Sequence, residues 1–97
     1  MPQEKNLNSI KMKSLFSAIA SLDSEAEAKN FMRDLLTISE LEEAALRFDI
    51  AKRVTRKESY RSISKNTGAS TATITRVSHW IHHGMGGYNH VLSHLKK

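Results

Sequence analysis

Apolar residues recur at three- and four-residue spacing along most of this 97-residue chain, and no alternating run persists long enough for a strand. That period confines the chain to packed helices. The one proline stands at position 2, so it interrupts nothing within the pattern. A first helix over residues 7–21 places Met12, Leu15, Phe16, Ile19 and Leu22 on one stripe. Asp23 or Ser24 caps a second over 25–36, whose apolar face is Phe31, Met32, Leu35 and Leu36. Ser39 and Glu42 have capping-box spacing at the head of a third. This one runs to about residue 56 and turns Leu41, Ala44, Ala45, Phe48 and Ala51 or Val54 inward.

The stretch from Ser59 to His83 is more specific. Ser59 caps a two-turn helix with Ile63 facing inward, Gly68 follows where that helix must stop, and Ser70 caps a longer helix. Short helix, glycine turn and longer helix make a helix-turn-helix over about 59–82. In its second helix Ile74, Val77, Ser78 and Ile81 share one face, which leaves Thr71, Ala72, Thr75 and His79 outward or leading. Short side chains of this kind suit a helix that enters a major groove. Thr and Ala methyls can touch the thymine methyl, and hydroxyls can bond a base or a phosphate. A single threonine here is equally consistent with a solvated surface. Five β-branched residues between Thr71 and Val77 nevertheless weaken the helix intrinsically, which favours a functional reason for them. Gly84-Met85-Gly86-Gly87 then forms a joint to a last helix over 88–96, with Val91, Leu92 and Leu95 apolar.

Charge divides along the chain. Residues 1–51 hold six Lys and Arg against nine Asp and Glu, a net of −3; residues 52–97 hold nine against one, a net of +8, and together these give +5. The lone acid of the second half is Glu58. Clustered positive charge attracts polyanions, a phosphate backbone above all. Anionic lipid is the weaker competitor, because the basic half lacks the long apolar stripe of an interfacial helix. Arg53, Arg56, Lys57, Arg61 and Lys65 flank the helix-turn-helix and would supply phosphate contacts that position it without reading sequence.

Several chemistries are excluded. Cysteine is absent, which removes disulfides, thiol nucleophiles and Cys-ligated zinc. The pairs His79/His83 and His90/His94 stand at i and i+4, but no carboxylate follows Glu58, so no metal site is expected. These histidines are expected to be solvated or to face phosphate, strengthening DNA binding in mildly acid solution. The glycines at 84–87 follow a helix and lack the Gly-Lys-Ser/Thr ending of a phosphate loop. No Ser-His-Asp set is plausible, and no catalytic residue or enzyme is expected. No apolar run approaches the ~20 residues of a membrane span, and the amino terminus lacks a signal pattern, so a single cytoplasmic, nucleoid-associated domain over 1–97 is expected.

Three strings carry a family resemblance: Asp34-Leu-Leu-Thr-Ile-Ser-Glu-Leu-Glu-Glu43, Leu46-Arg-Phe-Asp-Ile50 and Gly68-Ala-Ser-Thr-Ala-Thr-Ile-Thr-Arg76. Over about residues 31–83 the chain resembles the tryptophan repressor superfamily, most of all its YerC/YecD-type branch. The resemblance implies an all-α, six-helix TrpR-like fold in an intertwined homodimer, a repressor with two recognition helices on a palindromic operator whose half-sites lie about 34 Å apart. It also implies corepressor residues: Arg47 and Arg76 match the arginines that sandwich the indole of L-tryptophan, and Thr37 matches a threonine near the partner chain. Val77 and Trp80 depart from that pattern, where the repressor has a small residue and a serine. Trp80 is therefore either a built-in replacement for the ligand or an ordinary core or interface residue, and no cofactor is expected. The functional expectation is a sequence-specific regulator of double-stranded DNA that contacts it through Arg61, Lys65, Ser70, Thr71, Ala72, Thr75 and His79. The alternative is a helical protein-interaction module without DNA binding.

Overall fold

Six α-helices and a short 3-10 turn account for the secondary structure of the computed structural model, which describes residues 6–95; no strand occurs among them. They fall into two compact units, Met1–Ile38 and Ser39–Lys97.

The first unit holds the 3-10 turn Asn6–Asn8, then α1 (Ile10–Ala20) and α2 (Glu25–Leu35). α1 starts at Ile10 and not at residue 7, because the Ser9 hydroxyl accepts the Met12 backbone N–H at 3.2 Å and so caps the helix there. At α2 the cap is Ser24, which accepts the Glu27 N–H at 3.1 Å, while the Glu27 carboxylate accepts the Asp23 N–H at 2.8 Å. This reciprocal pair meets free donors of the first turn, and Glu25 and Glu27 also suit its positive end. No residue of α1 or α2 is buried.

The second unit holds α3 (Ile38–Thr55, opening at the boundary), α4 (Tyr60–Thr67), α5 (Thr71–His83) and α6 (Gly87–Leu95). Because α3 already begins at Ile38, Ser39 sits inside the helix and does not cap it. Its core comprises Ile50, Ala51, Ile63, Ala69, Ile74, Val77 and Ile81, with Leu46, Val54, Tyr88 and Leu92 packed against them. The expected inner face of α3 is thus displaced: Ala44 and Ala45 are exposed, Leu41 and Phe48 are half-buried, and Ile50 is fully enclosed. α3 has apolar residues on more than one stripe, and the stripe with the larger side chains, Leu46, Ile50 and Val54, removes more apolar area from water than two alanines would.

Local bonding explains both turns around α4. α3 ends in a Schellman arrangement, with Lys57 N–H on the Val54 carbonyl and Glu58 N–H on the Arg53 carbonyl, each at 3.0 Å. Its left-handed residue is Lys57, φ 69°, which is strained by about 1–2 kcal/mol relative to glycine. Between α4 and α5 that conformation falls to Gly68, φ 79°, whose N–H meets the Ser64 carbonyl. Ser64 Oγ donates to the Ala69 carbonyl at 2.8 Å, and Thr67 Oγ1 accepts the Ala69 N–H at 3.1 Å. The turn is therefore pinned by side chains from α4 onto a buried alanine.

At the far end of α5, a Cβ on Gly84 would collide with the Trp80 carbonyl oxygen. The joint that follows is tied down by Asn89, whose Nδ2 donates to the Ile81 carbonyl at 3.2 Å.

Candidate nucleic-acid interface

Ser70 sets the start of α5 by accepting the Thr73 N–H at 3.1 Å. Its hydroxyl also donates to Thr73 Oγ1 at 3.1 Å, so Ser70 is committed to the cap. From that start, Ile74, Val77 and Ile81 turn inward while Thr71, Ala72, Thr75, Arg76 and His79 are exposed. The exposed leading face carries methyls and hydroxyls and no acid. On α4, Arg61 and Lys65 are exposed as well.

Ion pairing separates the cations into two sets. Among the described residues the ion pairs are Arg47–Glu43 at 3.2 Å, Arg53–Asp49 at 3.1 Å and Arg53–Glu58 at 3.2 Å. Arg56, Lys57, Arg61, Lys65 and Arg76 have no carboxylate partner among them, whereas Arg53 is held twice. Arg53 is therefore not one of the cations free for phosphate. Glu58 accepts hydrogen bonds from Ser62 Oγ at 2.7 Å, from Asn66 Nδ2 at 3.1 Å and from Arg53 Nη1 at 3.2 Å. The Ser62 bond foremost, then Asn66 and Arg53, holds its carboxyl below the usual carboxylate range against a partial desolvation that acts the other way.

The residues expected to meet a ligand are partly brought together. Arg47, Arg76 and Trp80 line one recess of about 210 Å³, closed by Thr73, Val77 and Tyr88. Thr37 belongs to the first unit. Trp80 is half-exposed and forms a wall of this recess. Its other side bounds a wider apolar basin of about 570 Å³ with Phe48, Gly84, Met85, Gly87, Tyr88 and Val91. His79 stands edge-on to Trp80 with ring centres 5.3 Å apart, and the His90 and His94 rings lie 4.3 Å apart. Among the described residues no three His, Asp or Glu side chains gather to hold a metal ion. Sequence reasoning missed Tyr88 as a recess wall and Glu58 as an anchor. The available signal for Glu58 was its isolation as the only acid after residue 51.

The family model described as Trp repressor protein matches residues 10–96. The chain belongs to the Trp repressor family. It is 37% identical over 83 residues to the uncharacterized protein YerC of Bacillus subtilis, covering 86% of this chain and 80% of YerC. A TrpR-like protein of Eubacterium eligens, known from its crystal structure, shares 38% identity at a TM-score of 0.88, with 94% of each chain covered. A crystal structure of a candidate Trp repressor from Staphylococcus aureus shares 32% identity at a TM-score of 0.88, covering 96% of this chain and 93% of that one. The Trp repressor family is one of DNA-binding regulators and not of enzymes, and the all-α TrpR-like fold is common to this chain and both solved structures. No helix among the described residues is long and apolar enough to cross a membrane.

Proposed function

We propose that the protein is a sequence-specific transcriptional regulator of double-stranded DNA, a homodimeric repressor that works in the cytoplasm on the nucleoid. The carrying observation is the division of labour across α4 and α5. Thr71, Ala72 and Thr75 present an exposed, uncharged leading face on a helix whose opposite face is buried, and exposed Arg61 and Lys65 flank it. Phosphate contacts from the arginine and lysine set register, and contacts from the short side chains to base edges carry specificity. His79, one turn further along α5, is exposed on the same face and adds a further contact. Ser70 acts by capping the helix that the others ride on.

Two features bear on assembly and control. No residue of α1 or α2 is fully buried, and exposed Phe16 and Ile19 leave an apolar stripe that a second copy would cover. With that copy in place, residues 1–97 act as one dimeric domain, and two-fold symmetry calls for a palindromic operator. The recess between Arg47 and Arg76 already has an indole in its wall, that of Trp80. DNA binding is accordingly independent of free L-tryptophan. Calorimetric titration with L-tryptophan should show no saturable micromolar binding, and binding that Arg76→Ala abolishes would contradict this part.

The test of function is selection of bound duplexes from a random-sequence library. Enrichment of a palindrome with half-sites about 10 base pairs apart, centre to centre, is expected. Recovery of no motif, or failure to retain any duplex, would favour a helical interaction module instead.

A further inference from the structure

The link between α3 and α4 has an acid at its centre. The strained left-handed backbone at Lys57 places Glu58 directly after the end of α3, and a strained residue persists only where its surroundings over-determine it. Glu58 supplies those surroundings. Its carboxylate gathers Ser62 Oγ at 2.7 Å and Asn66 Nδ2 at 3.1 Å from α4, and Arg53 Nη1 from α3, the last at 3.2 Å to each oxygen. Arg53 Nε continues the chain to Asp49 at 3.1 Å. One hydrogen-bonded line therefore runs from the body of α3 to the last turn of α4. The Arg53 and Glu58 side chains are only 29% and 23% exposed, so solvent and salt screen this pair less than a surface pair. From α4, the Ser64 and Thr67 bonds to Ala69 pass the constraint on to α5.

We propose that Glu58 is a positioning residue for DNA reading: it locks α4, and through the pinned turn α5, at one angle to α3, so that sequence-specific binding depends on an acid lying within the basic, DNA-facing half. The proposal rests on the DNA-binding function argued above. It has a consequence that plain electrostatics reverses. Removing a negative charge near a phosphate-binding face should strengthen binding to every duplex, whereas loss of the lock should weaken binding to the selected site alone.

The experiment compares wild type, Glu58→Ala and Ser62→Ala/Asn66→Ala on two labelled duplexes, one selected by the wild-type protein and one of scrambled sequence, well below each variant's melting temperature. The second variant removes the α4 anchors without changing charge. Glu58→Ala should bind the selected duplex at least about tenfold more weakly and the scrambled one as tightly as wild type or more so. The double variant should lose affinity for the selected duplex only. Hydrogen exchange on the free proteins should quicken across 58–70 while the α3 amides around Ile50 stay protected. Affinities that rise together on both duplexes, or an unchanged exchange pattern, would overturn the positioning role. If the wild-type protein selects no duplex at all, the DNA-binding function is overturned instead, and the exchange measurement still decides whether Glu58 locks the link.

Discussion

The two units differ in what they bury and in what charge they carry. In Ser39–Lys97, Ile50, Ile63 and Ile74 are fully enclosed and the whole net charge of +5 resides there, ten Lys and Arg against five acids. Met1–Ile38 is neutral, five against five, and its helices bury no residue while Phe16 stays 46% exposed. The carboxyl-terminal unit thus makes its own core, which holds α5 against α3 and α4. The amino-terminal helices carry the right apolar spacing but do not satisfy it within one chain, which is the physical argument for the second copy proposed above.

Breaking the amino-terminal side of this contrast should have the largest effect. With Phe16 46% exposed, Phe16→Asp removes about half of a full side-chain burial, about 0.7–1.5 kcal/mol from each copy and about 1.5–3 kcal/mol per two-fold dimer, and adds the larger cost of burying an unpaired carboxylate. Sedimentation should show monomers at concentrations where the wild type is dimeric. A dimer of unchanged affinity would show that the α1 stripe is not an assembly surface. On the other side, Ile63→Ala opens a cavity where the side chain is fully enclosed, and urea unfolding should report a loss of about 2–5 kcal/mol. A loss below about 1 kcal/mol would mean that the carboxyl-terminal core is not the rigid body argued for.

Gly68→Ala sharpens the picture with a smaller effect. Nothing lies within 4 Å of the added Cβ, so only the backbone at φ +79° is strained. Thermal unfolding should register a cost of about 1 kcal/mol. A much larger cost would reveal a contact at this turn.

Legibility in the sequence followed the range of the interactions. Ser59, Gly68, Ser70 and the inward set Ile63, Ile74, Val77 and Ile81 were readable because caps, positive φ and a 3.6-residue period are local properties. The exposed face at Thr71, Ala72 and Thr75 followed from the same period. The burial of Ile50 in place of Ala44 and Ala45 was not readable, since α3 offers two stripes and the helices packed against it choose between them. Ser39 looked like a cap because its spacing to Glu42 suits a box, yet Ser24 and Glu27 form that arrangement, with Asp23 as the donor. The pairing of Arg53 was within local reach, since Asp49 stands four residues before it and Glu58 five after, whereas the convergence of Tyr88 with Arg47 and Arg76 depends on chain reversals that no short window of sequence spans.

The most direct test of the central claim is fluorescence anisotropy of a labelled duplex titrated with wild type and with Arg61→Ala across a salt series. The expected result is a steep linear fall of log affinity with log salt, with the Arg61→Ala slope shallower by about one. Affinity that is absent or indifferent to salt, or an Arg61→Ala slope equal to that of the wild type, would contradict a reading helix carried to the duplex by unpaired cations on α4.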